Sequence, residues 1–81
     1  GSPDGNALAA YLMWLDGKSR MAGAFATKAV KDDPKHLHAM EILAYCLVDK
    51  GEKDKARIVA GAINEACPGH KAVVRILDMC R

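Results

Sequence analysis

The stretch LAAYLMWLDGKSRMAGAFATKAVKDDPKH at residues 8–36 returns 34 positions later as ILAYCLVDKGEKDKARIVAGAINEACPGH at residues 42–70. Leu8 falls on Ile42, Ala10 on Ala44, Tyr11 on Tyr45 and Gly17 on Gly51. Ala22 falls on Ala56, Ala26 on Ala60, Pro34 on Pro68 and His36 on His70. Eight correspondences at one shift, glycines and prolines among them, make the chain two copies of one unit plus a remainder from about Lys71. A repeated unit of this size cannot bury its apolar face alone and stacks on its neighbours.

Each unit reads as two helices. Leu8, Leu12 and Leu15 form a helical stripe, Ser2-Pro3 supplies a cap with a first-turn proline, and Asp16-Gly17 is the stop. Ala22, Phe25, Ala26, Ala29 and Val30 recur at i, i+3, i+4, i+7, i+8 up to Asp33-Pro34, where proline ends the helix. The second unit follows the same plan. Met40, Leu43, Ala44 and Leu47 precede Lys50-Gly51, and Ala56, Val59, Ala60 and Ile63 precede Cys67-Pro68-Gly69. A fifth helix is predicted from about His70 to Cys80. No segment alternates with the period of a strand, so the expected fold class is all-α. Ala10, Ala22, Ala44 and Ala56 fall where paired helices should cross, and small side chains there let two axes approach closely.

Composition agrees. The 81 residues suit one small domain, 51% hydrophobic and 27% charged, with aromatics at only 5%. A net charge of +2 is too small to indicate nucleic acid, and no apolar run approaches the roughly 20 residues of a membrane span. Cys46, Cys67 and Cys80 are odd in number and match no paired-cysteine zinc spacing. Reduced thiols in the cytoplasm are the expectation.

A 34-residue helix–turn–helix unit with these landmarks resembles the tetratricopeptide repeat family. The residues that carry the resemblance are Ala10 and Ala44, Gly17 and Gly51, Ala22 and Ala56, Ala29, and Pro34 and Pro68. Leu43-Ala44 matches the family's leucine followed by a small residue, where the first unit has Ala9-Ala10. The chain departs with Asn6 and Met40 at the position the family often gives to tryptophan, and with Ile63 for its usual alanine. The resemblance implies one domain over residues 1–81: a first repeat at 3–36, a second at 37–70, and a terminal capping helix or the start of a further repeat at 71–81. It implies a right-handed solenoid of helical hairpins, about five antiparallel helices, whose first helices line a concave groove for a peptide or partner protein. Pentatricopeptide repeats, which bind RNA, are the nearest competitor; the 34-residue period and the matched prolines favour the tetratricopeptide reading.

Under that resemblance the groove positions are Asp4, Ala7, Tyr11 and Trp14 in the first unit and His38, Glu41, Tyr45 and Val48 in the second. The fifth helix adds Arg75 and Met79. Tyr11, Trp14, His38, Glu41, Tyr45 and Arg75 are the main binding candidates, because aromatic rings and arginine offer rigid area with a polar edge. A second reading half-buries Tyr11 and Tyr45 between helices. The subtype that grips acidic chaperone tails needs lysine, asparagine and arginine where this chain has Ala7, Tyr11, Ile42, Ala72 and Ile76, so no such clamp is expected.

Nothing else in the chain carries chemistry. No nucleophile–base motif or phosphate loop occurs, so no enzyme and no cofactor is expected. His36 and His70 lie one repeat apart, too far to share a metal, and Lys18, Arg20, Lys28 and Lys31 read as a solvated face. The fifth helix is apolar around most of its circumference. Val73, Val74 and Leu77 are expected inward and Ile76, Met79 and Cys80 outward. An outward apolar face there fits either the continuation of a longer solenoid or a homodimer through the terminal helix.

Overall fold

Helix begins and ends where the side chains dictate. The computed structural model covers residues 1–81 and holds α1 Pro3–Leu15, α2 Ser19–Asp32, α3 Leu37–Asp49, α4 Lys53–Ala66 and α5 Lys71–Met79, with no strand. The Ser2 hydroxyl accepts the Gly5 N–H at 3.0 Å, leaving Pro3 in the first turn, where its missing N–H costs nothing. α3 and α5 are capped instead by histidines: His36 Nδ1 accepts the Ala39 N–H at 3.2 Å, and His70 Nδ1 accepts the Ala72 N–H at 3.0 Å. α1 and α3 end in the same way. Gly17 and Gly51 take φ of +76° and +80°, and the residue after each donates back to Met13 O or Leu47 O at 2.9 Å.

The repeat in the sequence is a repeat in the structure. α1, α3 and α5 start at residues 3, 37 and 71, and α2 and α4 at 19 and 53. Consecutive helices pack against each other; α1 also touches α3 and α3 touches α5, whereas α2 and α4 do not meet. The helices therefore form two layers, three in one and two in the other, with the layer of three drawn together. No helix is long and apolar enough to cross a membrane.

Alanine makes this packing possible. Ala10, Ala22, Ala26, Ala44, Ala56 and Ala60 are all buried in one core, filled by Ile42, Ile63 and Ile76. Phe25, Val30 and Val59 close its edges, as the helical spacing predicts.

The fifth helix corrects one expectation. On α5, Ile76 and Cys80 are buried and Met79 is half-buried, while Val74 and Leu77 are exposed. The reason is register: Ile76 and Cys80 repeat Ile42 and Cys46, and the face that packs α3 also packs α5. Arg57 Nη2 donates to the Cys80 carbonyl at 2.9 Å and holds the end of α5 on α4. On α1, Leu8, Leu12 and Leu15 are exposed, and Asn6, Ala7 and Ala10 are the buried side. The leucine stripe is helical, but it does not face this chain's core.

Candidate functional site

The three-helix layer carries all six binding candidates. Tyr11 and Trp14 come from α1, His38, Glu41 and Tyr45 from α3, and Arg75 from α5. The positions follow from the repeat, since equivalent residues of stacked helices lie side by side rather than end to end.

The six are linked pairwise across helices. The Tyr11 and His38 rings lie 5.3 Å apart at 53°, and the Trp14 and Tyr45 rings 5.6 Å apart at 32°. Both separations lie within the range for favourable ring contacts. The Tyr45 hydroxyl donates to Glu41, one turn earlier on α3. Arg75 Nη1 donates to the Glu41 carboxylate at 2.9 Å and lies 3.1 Å from the Tyr45 hydroxyl. The result is two groups: the Tyr11–His38 pair between α1 and α3, and a Trp14–Tyr45–Glu41–Arg75 cluster that spans α1, α3 and α5.

Burial differs among the six. Tyr45 is nearly enclosed, Glu41 and Trp14 are half-buried, and Tyr11, His38 and Arg75 are exposed. Burial, followed by the hydrogen bond to Glu41, raises the Tyr45 phenol above its ordinary pKa. The hydrogen bond with Tyr45 raises the Arg75 guanidinium, so both stay protonated at neutral pH. The Glu41 charge is compensated within the cluster. The exposed side chains of the two groups are two rings and an arginine rather than a bare carboxylate. The two tyrosines differ in burial: Tyr45 packs between helices, and Tyr11 stays exposed.

Of the remaining groove positions, Ala7 is buried, Val48 and Met79 are half-buried, and Asp4 is exposed. Asp4 has a partner that its position in the sequence did not suggest. Because His36 Nδ1 accepts from Ala39, Nε2 carries the ring proton and donates to Asp4 Oδ1 at 2.7 Å. That bond ties the start of α1 to the start of α3. Cys46 is enclosed, and burial, followed by the charge of Asp49, pushes its thiol up to about 11. All three cysteines are free thiols.

A cleft of about 750 Å³ lies elsewhere, between α2 and α3, lined by Ser19, Gly23, Leu43, Cys46 and Leu47 among others. Gly23, on its lining, stands at the position that Arg57 holds one repeat later. None of the six candidates lines it.

The chain matches no known family model, and comparison with curated proteins and with solved structures finds no match.

Proposed function

We propose that this is a tetratricopeptide-like module: a right-handed solenoid segment that binds a peptide or partner protein on the concave side of α1, α3 and α5, as an adaptor or assembly scaffold. It is not an enzyme on this reading, takes no cofactor, and works in the cytoplasm, where its three free thiols stay reduced. One observation carries the reading: the six groove candidates contact one another across helices, Tyr11 with His38, and Trp14 with Tyr45, which joins Glu41 and Arg75. Exposed rings beside a pre-positioned arginine are the composition of interface anchors. Cross-helix bonds reduce the ordering that binding must supply.

The alternative of a homodimer through the terminal helix loses Ile76 and Cys80, which are buried, and keeps half-buried Met79 with exposed Val74 and Leu77. The RNA-binding alternative draws no support from a net charge of +2.

The test is selection of a displayed random-peptide library against the wild-type domain. Binders are then measured against Tyr11→Ser and Arg75→Ala, with circular dichroism confirming the fold. Both residues are exposed, so neither change should disturb the core. Loss of binding in both variants supports the reading. Peptides that bind wild type and both variants equally overturn it.

A further inference from the structure

The cleft between α2 and α3 is a second concave surface, apart from the six groove candidates. Gly23 and Ala24 of α2 face Leu43, Cys46 and Leu47 of α3 across it, so its walls are apolar. Its volume of about 750 Å³ falls in the roughly 300–1,000 Å³ range of small-molecule sites. Both walls have neighbours on either side in the fold, so the site is complete within it. The same junction occurs once more, between α4 and α5, and there a side chain crosses it. Arg57, the repeat equivalent of Gly23, donates to the Cys80 carbonyl of α5 at 2.9 Å and to Asp54 at 2.7 Å. It spans the junction with an aliphatic stem and ends in a charged head. A Cβ added to Gly23 would start the same way, 3.5 Å from the Cys46 Cβ.

The two junctions carry opposite charge. Asp54 of α4 pairs with Arg57, but its equivalent on α2 is Arg20. Arg20 lines the cleft, is exposed, and forms no ion pair. The other charges on the lining are engaged: Asp49 accepts from the Ser19 hydroxyl at 2.5 Å, and Lys50 lies 3.6 Å from Glu52. Where α4 presents an anion and a cationic side chain answers it, α2 presents a cation. We infer that the cleft binds a small molecule with an aliphatic body and a carboxylate head, the body against Gly23, Leu43, Cys46 and Leu47 and the head on Arg20. Burial of the body drives binding, and the guanidinium fork matches a carboxylate. A cationic head meets Arg20 and Lys50 and is repelled. Asp49 on the same rim disfavours a dianion.

The probe is decanoate, titrated into the isotope-labelled chain and followed by backbone amide shifts. Saturable shifts are expected at Gly23, Ala24, Cys46 and Leu47, with a Kd at or below about 1 mM, while Tyr11 and His38 on the other layer stay unmoved. Decylammonium, with the same body and the opposite charge, should bind at least about tenfold more weakly. Arg20→Gln should weaken decanoate about threefold, the effect of one exposed ion pair. Arg20→Asp with Gly23→Arg copies the Asp54–Arg57 pair of α4 onto α2 and should abolish binding, with circular dichroism showing the fold kept. Ala24→Ile, which copies exposed Ile58 and changes no charge, narrows the cleft as a second arm and should also weaken binding. No saturable shift up to about 10 mM decanoate overturns the inference. So does equal binding of decylammonium, or binding that survives the paired substitution and Ala24→Ile alike. Shifts centred on Tyr11 and His38 would put the acid in the concave groove and overturn it as well.

Discussion

Glu41 and Arg75 stand at the same position of consecutive repeats, and their side chains pair at 2.9 Å across α3 and α5. The same repeat position in the first unit is Ala7, which is buried and carries no charge. The ion pair is thus a property of one junction and not of the repeat. Because Glu41 also accepts from Tyr45, one carboxylate sets the orientation of a ring that packs on Trp14 and of an arginine at the surface.

The cluster predicts a measurable coupling. Tyr45→Phe keeps the ring against Trp14 but removes the hydroxyl, and should cost about 1 kcal/mol. In a Glu41→Gln background the same change should cost less, since the charged acceptor has gone. Urea denaturation of the four proteins in the cycle measures this, and additive costs would show that the two residues act independently.

Alkaline pH should destabilise the fold through buried acids. Cys46 rises from 9.0 to about 11 in the folded chain, and Tyr45 rises above 10.0. The folded state then binds more protons than the unfolded state at high pH. The stability these groups contribute is complete below about pH 9 and is lost as pH rises through about 11. The urea midpoint should fall between pH 9 and 11, and fall less steeply in Cys46→Ala. Equal slopes in the two proteins would show that Cys46 does not titrate late.

The buried alanines set the spacing of the helices. Ala22 and Ala56 have no exposed surface, so Ala22→Leu or Ala56→Leu forces neighbouring helices apart and should cost roughly 1–3 kcal/mol. A lowered melting temperature is the expected result for each. An unchanged curve would remove that residue from the helix crossing.

Glycines at different places should respond with opposite sign. Gly61 lies within α4, and a Cβ there meets nothing within 4 Å, so Gly61→Ala should stabilise by about 0.5–1 kcal/mol. Gly51 lies at φ +80°, where an L side chain is strained, and Gly51→Ala should destabilise by about 1 kcal/mol. Thermal melts of the two variants beside wild type check the pair.

Much of the architecture was open to reading because it rests on local rules. Gly17, Gly51, Pro34 and Pro68 mark helix ends through backbone geometry that each residue imposes wherever it stands. The alanine pattern of α2 and α4 identifies their buried sides, because each is packed on one stripe. The six candidates on α1, α3 and α5 came from the resemblance to tetratricopeptide repeats, which implies a groove lined by the first helix of each unit. Their links did not. Tyr11 meets His38 and Trp14 meets Tyr45 across helices whose rotation no local pattern records.

The leucines of α1 and the apolar residues of α5 mark the boundary most clearly. Periodicity locates a stripe on a helix but not the neighbour that covers it. Ile76 and Cys80 are buried because α4 and α3 lie beside them; Leu8 and Leu12, at equivalent positions, are exposed because α2 and α3, the helices packed on α1, do not cover them. The sequence by itself determined the helices, their ends and the period that relates them, since these depend on residues within a few positions of one another. Which apolar face is core, which is surface, and that Arg75 reaches Glu41 were decided only when the helices packed, because burial is a property of neighbours far apart in the chain.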